Sequence, residues 1–339
     1  MKVMEIRDEW SADNICVGER PEPEPGPGEL LIKMKAASLN YRDFVMCQRG
    51  YGRRSGTLPL IPVSDGAGQV VTVGEGVSRV AVDDLVCPIF GQTWISGPFR
   101  EEYWSGLLGG PLDGVMQELM VLTEDGVVKA PRGWTPVQAA TLSCAAVVAW
   151  NAVVHQGQTK AGDFVLVQGT GGVSLFSLLF AKMQGAEVIA TSSSDEKLGK
   201  LKVLGADHVV NYKDTPDWHK TARKITDGMG IDMVVEVGGA GTLEKSIQAV
   251  RPGGKVALIG VLSGAAGKIN LGPVVTQNIR LQGITVGARD LFEEMVKAIE
   301  FQGIEPPVDE NLFAFEAVGE AIKSIPKGKH FGKICSSFE

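Results

Sequence analysis

The feature that most constrains the fold is a strand that runs into a glycine-rich turn and then into an apolar helix, VLVQGTGGVSLF at residues 165–176. Its spacing is Gly169-x-Gly171-x-x-Ser174, so serine stands where the dinucleotide-binding fingerprint has its third glycine. The first glycine permits the tight turn, the second lets the backbone approach a pyrophosphate, and the third only allows close packing of helix on strand. Because serine is small enough for that last task, we expect a bound dinucleotide here.

The chain beyond this turn repeats the alternation of strand and helix. Strand-like runs, from DFVLVQG through EVIAT, HVVNY, DMVVEVG and KVALIGV to IRLQGITVG, are separated by stretches with helical character. This pattern predicts βαβ units, and six strands in this order fit a doubly wound, parallel Rossmann sheet. The pyrophosphate would then lie on the amides of Gly172 and Val173, at the positive end of the first helix.

The end of the second strand indicates which dinucleotide binds. NAD generally needs a carboxylate about 20 residues after the glycines, to bind the ribose hydroxyls. Here the strand ends in Ser192 and Ser193, while Asp195 and Glu196 fit the first turn of the next helix, with Ser193 and Glu196 at the spacing of a capping box. The two hydroxyls and the ammonium of Lys197 could hold a 2′-phosphate, which a carboxylate would repel. The sequence favours NADP(H), although a solvated helix face is the alternative for Lys197.

The residues before the turn have a different pattern. From Lys2 to about Val128, short β-rich runs such as LLIKMKAAS, GQVVTVGEGV and MQELMVL predict a barrel-like β domain. Segment 90–114, rich in glycine and aromatics, fits a substrate lid and a surface excursion equally well. Two short amphipathic helices and the strand KICSSF are expected to return to the first domain. The predicted domains are residues 1–126, 127–287 and 288–339.

Length, charge and cysteine content limit the kinds of partner and site that we expect. A chain of 339 residues exceeds the size of an ordinary single domain. Its net charge of −7 argues against nucleic acid or an anionic membrane surface, so a small-molecule substrate is expected. The first residues lack an apolar signal region, and no unbroken apolar run approaches the ~18 residues of a membrane span, which favours the cytoplasm. The 5 cysteines include no CxxC pair, so neither disulfides nor a cysteine-rich zinc site is expected.

Several segments, in order along nearly the whole chain, carry a family resemblance: KAASLNYRDF, LPLIPVSDGAGQVVTVGEGV, ATLSCAAVVAWNAV, VLVQGTGGVS, ATSSSDEK, VVEVGGAG and HFGK. The chain resembles the medium-chain dehydrogenase/reductase superfamily, in its zinc-free quinone oxidoreductase branch. This resemblance implies an α/β protein in which a Rossmann coenzyme domain is inserted into a GroES-like β-barrel catalytic domain. It also implies a homodimer that forms through the last Rossmann strand, in NIRLQGITVG.

The resemblance also bears on metal binding. Zinc-dependent members place their catalytic ligands at positions where this chain has Asn40, Ser64 followed by Asp65, and Cys144. One thiolate does not make a tetrahedral zinc site, and the four-cysteine lobe of the structural zinc is absent from the sequence. We therefore expect no metal.

An enzyme without a metal must activate its acceptor through hydrogen bonds and positioning. In a quinone or enone, the charge that develops on hydride transfer spreads to oxygen, so neutral donors suffice. The candidates are Tyr41, Asn40 and Ser64, with Tyr51 at the mouth of the site. Tyr41 matches a residue that similar reductases place near the nicotinamide, where a phenol can pass on a proton. A half-buried aromatic of the β domain is the alternative.

Further coenzyme contacts are implied by the same resemblance. Tyr212 ends the third strand, where similar enzymes place a residue beside the adenosine phosphate. Other candidates follow strands 4 to 6, at the carboxyl ends where ligands bind in open α/β sheets, or lie in the tail. They are Gly238, Ile259, Val261, Val286 and Lys333.

Three functions fit these observations. The preferred one is an NADPH-dependent reductase of quinones or other α,β-unsaturated carbonyls. An alcohol or aldehyde dehydrogenase of the same superfamily is the first alternative, and it would need a metal or a strong acid. A non-catalytic NADPH-binding sensor or structural protein is the second.

Overall fold

A computed structural model describes residues 1–338 and divides the chain into two compact units. The first unit comprises Met1–Val147 and the segment from Gly287 onward, and the second comprises Val148–Val286. The strands are β1 (Lys2–Ile6), β2 (Ile15–Glu19), β3 (Glu29–Ser38), β4 (Asp65–Val73), β5 (Leu85–Pro88), β6 (Leu119–Thr123), β7 (Val127–Lys129), β8 (Phe164–Gln168), β9 (Glu187–Ser192), β10 (His208–Asn211), β11 (Ile231–Glu236), β12 (Val250–Leu258), β13 (Arg280–Gly283), β14 (Val308–Ala314) and β15 (Lys333–Ser337).

The helices are mostly short. They are α1 (Tyr41–Cys47), α2 (Pro136–Ala139), α3 (Val147–Trp150), α4 (Gly172–Met183), α5 (Asp195–Val203), α6 (Trp218–Ile225), α7 (Leu243–Ala249), α8 (Gly272–Thr276), α9 (Arg289–Gln302) and α10 (Val318–Ser324). Two stretches of π-helix, Leu142–Ala146 and Asn151–Gln156, extend α2 and α3 into one helix over Pro136–Gln156. Short 3₁₀ turns occur at Ala12–Asn14, Gly52–Ser55, Glu101–Gly106, Glu124–Gly126, Phe315–Ala317 and Ile325–Lys327.

The first unit is organised by a seven-stranded sheet in the order β14-β15-β3-β4-β5-β7, with β6 also paired to β3. Alternating side chains of β3, such as Leu30, Ile32 and Met34, are buried in the main core of this unit. The tail belongs to this unit because β15 pairs antiparallel with β3. Since β7 pairs with β5, the residues just after 126 also stay here, and the structure places the boundary at Val147–Val148, later than predicted.

The second unit is a doubly wound α/β fold, as predicted. Its six strands are parallel and follow the order β10-β9-β8-β11-β12-β13, which reverses direction between β8 and β11. Apolar side chains of the central strands, among them Leu166, Ile189 and Val234, are fully buried in one core. The reversal point is where open α/β sheets bind their ligands, because the connections diverge on either side of it. The glycine-rich turn follows β8, directly at this point.

The two ends of the second unit meet. The Asn151 side-chain amide donates to the carbonyl oxygen of Val286 at 2.7 Å, which joins the first helix of the unit to its last residue. On the side of the first unit, a Cβ atom on Gly287 would lie 2.6 Å from Cγ1 of Val147, so these two residues are also neighbours.

The helix over Pro136–Gln156 is the one helix among residues 1–338 with the length and apolarity of a membrane span, at a mean hydropathy of 1.6. However, 78% of its most apolar window is buried within the protein. Such burial is usual for a core helix.

Candidate active site

The glycine-rich turn after β8 is shaped to receive an anion. Gly169 has a φ of +75°, a conformation that glycine adopts without strain, and Gly171 is the extended residue that precedes α4. No atom lies within 4 Å of the position that a Cβ would take at either glycine, so both leave open space beside the turn. No side chain caps α4, whose first amides therefore lack the usual side-chain acceptor. These features fit the pyrophosphate of a dinucleotide.

Ser174, in place of the third glycine, is buried at 2% exposure. Its hydroxyl donates a hydrogen bond of 2.6 Å to the carbonyl oxygen of Gln168 at the end of β8. The serine therefore fits the close approach of helix and strand and adds a bond across it.

The ends of β9 and β10 bring several predicted residues together. The Ser192 hydroxyl accepts from the Ser194 amide at 3.3 Å, and the Tyr212 amide donates to the Ser192 carbonyl at 3.0 Å. The Tyr212 side chain is 41% exposed, while Ser193 and Lys197 are half-buried. Asp195, the first acid after the strand, accepts a hydrogen bond at its Oδ1 from the Asn211 side-chain amide at 2.8 Å. No carboxylate ends β9, and the hydroxyls and the lysine lie at that point.

The helix cap at this site differs from the prediction. Ser194, not Ser193, caps α5, because its hydroxyl accepts from the Lys197 amide at 3.4 Å. The Ser193 side chain is therefore not used as the cap of this helix.

A buried carboxyl group that sequence reasoning missed organises the loop after β11. Glu236 is fully buried, and its Oε1 accepts from the amides of Gly238 and Gly239 at 2.8 and 3.0 Å and from the Thr242 hydroxyl at 2.5 Å. Its Oε2 accepts from the Gln168 side chain at 2.8 Å and from the Ser246 hydroxyl. The only signal in the sequence was an acid within the apolar strand DMVVEV.

Gly239 in this loop must be glycine. Its φ is +83°, and a Cβ there would lie 2.6 Å from the carbonyl oxygen of Gly264 and 2.8 Å from Cα of Val261. The loops after β11 and β12 are thus in close contact. Of the predicted coenzyme residues here, Gly238 and Ile259 are half-buried and Val261 is 55% exposed.

Two other predicted coenzyme residues are covered. The Val286 side chain is buried, and its carbonyl is the one that accepts from Asn151. Lys333 is 3% exposed, and its hydrogen-bond acceptors, the Leu39 carbonyl and the Asn40 side chain, lie in the first unit.

The positions that correspond to zinc ligands hold a chain of polar contacts. Lys333 donates to the Leu39 carbonyl at 2.7 Å and to Asn40 Oδ1 at 2.5 Å, and its ammonium lies 3.8 Å from Asp65 Oδ2. Asp65 also accepts from the Ser64 hydroxyl at 2.7 Å and from the Cys144 amide at 3.0 Å. The chain of contacts therefore begins at Ser64 and Cys144 and ends at the Asn40 side chain.

Two of the three predicted catalytic side chains have a donor that no other protein group uses. Asn40 Nδ2 is buried without a hydrogen-bond partner, and Tyr41, the first residue of α1, is 37% exposed beside Phe44. Ser64 differs from its prediction. It is fully buried and its hydroxyl is already donated to Asp65, so we assign it to holding Asp65 rather than to contacting the acceptor.

These residues do not fit a zinc site. Asn40 and Asp65 are engaged with Lys333, whose positive charge would oppose a cation. Burial raises the pKa of the Cys144 thiol, which disfavours the thiolate that zinc requires. Within residues 1–338, no group of three or more His, Cys, Asp or Glu side chains could hold a metal ion.

The segment at 90–114 packs on its own aromatic rings. Trp94 contacts Phe99 and Tyr103 at ring-centroid distances of 5.0 and 6.0 Å, and Phe99 contacts Trp104 at 5.4 Å. The Arg54 guanidinium lies over the Trp104 ring at 4.4 Å. Trp94 is buried and the other three rings are half-buried, and this packing fits the lid and the surface excursion alike.

Asp43 supports the start of α1. It is buried, and its Oδ2 accepts from the Asn40 amide at 2.7 Å, while Oδ1 has no hydrogen-bond partner. Burial raises the pKa of this carboxyl to about 6, against the opposing charge of Arg42 at 3.9 Å. Asp43 therefore binds a proton at a pH where an ordinary aspartate has lost it.

This shift predicts a pH-dependent effect of Asp43→Asn. Because the folded chain holds its Asp43 proton more tightly than the unfolded chain, this group makes the free energy of unfolding fall as pH rises from about 4 to about 6. Asparagine cannot ionise and keeps an acceptor for the Asn40 amide. In denaturant unfolding, the free energy of unfolding of the variant relative to that of the wild type should increase by on the order of 2–3 kcal/mol over that pH range. The exposed Asp8→Asn is the control, and a difference that does not change with pH would contradict the expectation.

Comparisons with known proteins give the family. Residues 26–132 match the family described as alcohol dehydrogenase GroES-like domain, and residues 172–301 match zinc-binding dehydrogenase, a range that includes none of the positions 40, 64 and 144. A zinc-type alcohol dehydrogenase-like protein of Schizosaccharomyces pombe is 42% identical, with 97% of each chain covered. An acryloyl-coenzyme A reductase of Sulfurisphaera tokodaii is 27% identical, over 93% of this chain and 94% of its own.

Solved structures agree. A structure titled as a putative alcohol dehydrogenase from Sinorhizobium meliloti is 39% identical and superposes with a TM-score of 0.92, over 99% of this chain and 98% of its own. The sheet order, the glycine-rich turn and these likenesses lead to one conclusion: the chain is an oxidoreductase of the medium-chain dehydrogenase/reductase superfamily, with a GroES-like domain and a Rossmann-type nicotinamide-dinucleotide domain.

Proposed function

We propose that this protein is an NADPH-dependent reductase that transfers hydride to a quinone or another α,β-unsaturated carbonyl without zinc. The observation that carries the proposal is the polar chain through Asp65, Lys333 and Asn40, which occupies the zinc-ligand positions with groups that do not suit a metal. Bound NADPH would supply the hydride.

The second unit would hold the coenzyme. The open turn at Gly169 and Gly171 and the uncapped start of α4 suit the pyrophosphate. The serines at the end of β9, together with Lys197, suit a 2′-phosphate, because hydroxyls and an ammonium bind phosphate where a carboxylate repels it.

The first unit would hold the acceptor. The Asn40 Nδ2 group and the Tyr41 hydroxyl are hydrogen-bond donors that can bind a carbonyl oxygen as it gains negative charge. Tyr41 can also deliver the proton that completes the reduction. Neutral donors are enough for a conjugated acceptor, since the negative charge that develops on hydride transfer is delocalised between carbon and oxygen.

The similar acryloyl-coenzyme A reductase supports this acceptor class, because its name describes reduction of a conjugated acyl group. The name of the similar Schizosaccharomyces pombe protein favours the alternative, an alcohol or aldehyde dehydrogenase. That reaction must polarise an isolated carbonyl, a task for which the zinc-dependent members use their metal. A non-catalytic NADPH-binding protein would show coenzyme binding without turnover.

The central experiment follows absorbance at 340 nm with chelator-treated protein, NADPH or NADH, and a panel of quinones, enones, aldehydes and alcohols. We expect NADPH to be consumed with quinones or enones, at a rate that added zinc does not raise. Turnover confined to alcohols and aldehydes and lost with the chelator would favour the alternative. Coenzyme binding with no turnover would favour the non-catalytic function.

Coenzyme choice has its own test in Ser193→Asp. A carboxylate at this half-buried position would repel the 2′-phosphate and could accept hydrogen bonds from the ribose hydroxyls of NADH. We expect the Kd for NADPH to rise by about tenfold or more, the equivalent of one lost charge-assisted hydrogen bond, while NADH binding is kept or improved. Ser193→Ala is the matched control for the lost hydroxyl. Equal effects on both coenzymes would exclude the phosphate site.

We also propose that the chain forms a homodimer through the free edge of β13. This strand ends the sheet order, and Leu271 and Val275, in or beside the neighbouring α8, are 59% and 75% exposed. Unpaired strand edges and exposed apolar groups are typical of contacts between copies. Light scattering should give twice the chain mass, and Val275→Glu should shift the protein toward monomer. Val203→Glu, at a valine of 91% exposure on α5, should not. A monomeric wild type would refute the dimer.

A further inference from the structure

Lys333 is the only buried lysine among the described residues. A buried ammonium costs several kcal/mol unless charged and polar partners surround it, and an apolar residue would satisfy packing alone at lower cost. Its partners here are the Leu39 carbonyl, Asn40 Oδ1 and, at 3.8 Å, the Asp65 carboxylate. Asp43 and Arg42 are the other charged groups that act on this cluster.

Lys333 determines which way the Asn40 side-chain amide points. An ammonium has three donors and no acceptor, so the atom of the amide that faces it must be the oxygen. The amide nitrogen must then point away from Lys333. In the structure this nitrogen is buried and has no acceptor, which is unfavourable until one is provided. An unsatisfied donor at a candidate catalytic position suits the acceptor oxygen of a ligand.

Asp65 completes the arrangement from the other side. It is fully buried and held by the Ser64 hydroxyl and the Cys144 amide, and it balances the charge of Lys333. Two of the positions where zinc-dependent relatives hold a metal therefore serve here to hold a carboxylate, which in turn supports a lysine. The positive charge at this place is the Lys333 ammonium, where the zinc-dependent members have a metal ion.

We propose that Lys333 is a positioning residue, which orients the Asn40 amide toward the carbonyl oxygen of the acceptor and strengthens it as a donor through its positive charge. This inference rests on the proposed reductase function for the identity of the acceptor. The orientation of the amide itself does not depend on that function. Lys333 contacts Asn40 and not the reacting atoms, so its effect on the reaction passes through the amide.

The test compares Lys333→Met with the exposed Lys329→Met in the full-length protein, labelled with ¹⁵N in asparagine only. The Asn40 side-chain NH₂ signals are identified by their loss in Asn40→Asp. We expect the pair, in the wild type and in Lys329→Met, to have chemical shifts away from those of a solvent-exposed asparagine and to exchange slowly with water. In Lys333→Met the shifts should move toward the solvent-exposed values and the exchange with water should be faster. Lys333→Arg keeps charge and donors and should retain the wild-type shifts and slow exchange, which gives a second variant if Lys333→Met does not fold.

Kinetics supply the second readout. With the best acceptor from the panel, Lys333→Met should lower kcat by about a hundredfold, as expected for a lost oxyanion donor, with the Kd for NADPH within about twofold of the wild type. Asn40→Ala should lower kcat by a similar factor, and the double variant should be no worse than either single variant, because the two residues act as one unit.

The outcomes separate the two proposals. Unchanged Asn40 amide signals in a folded Lys333→Met protein would overturn the positioning role, whatever the activity. Signals that move to the solvent-exposed values together with an unchanged kcat would overturn its importance for the reaction. If the wild type reduces no conjugated acceptor, the reductase function fails, and the amide signals alone then support or overturn the positioning of Asn40.

Discussion

Each unit depends on the requirement that a buried carboxyl group be surrounded by donors. In the second unit, Glu236 gathers two loop amides, two hydroxyls and the Gln168 amide, and so joins the ends of β8 and β11 beside the glycine-rich turn. In the first unit, Asp65 gathers a hydroxyl, an amide and the Lys333 ammonium. Buried polar contacts therefore hold the candidate binding groups of both units in place.

Local patterns were sufficient to predict the architecture of the second unit. The strand and helix periods, and glycines at positions that need a positive φ such as Gly169, are properties of short segments. The β-rich pattern predicted a barrel-like first domain and the return of the tail to it, and the family resemblance added its GroES-like identity. Neither source gave the strand pairing, since the short strands of the first unit pair across long stretches of sequence. β15, for example, pairs with β3. The boundary after residue 126 was placed too early because β7 has only three residues and gives little signal.

The candidate site was harder to predict because its contacts are tertiary. Sequence reasoning named Asn40 and Lys333 for different tasks, and only the fold brings them within hydrogen-bonding distance. Ser64 was predicted as a donor to the acceptor, yet its neighbour Asp65 takes that hydrogen. Glu236 went unnoticed, since an acid in an apolar strand becomes informative only when its partners are known. Hydroxyl and amide groups have many possible partners, and spacing along the chain does not choose among them.

The bond between Asn151 and Val286 has a consequence for how such a chain can change over evolutionary time. The chain enters and leaves the second unit at one point, where a hydrogen bond joins the two ends of that unit. In the first unit, Val147 and Gly287 are neighbours at the same junction. A domain whose ends meet can be inserted into a host, or exchanged for another, without separating the host segments that flank it. The whole second unit can therefore be exchanged at this junction, which would change the coenzyme specificity. The residues of the first unit would remain unchanged.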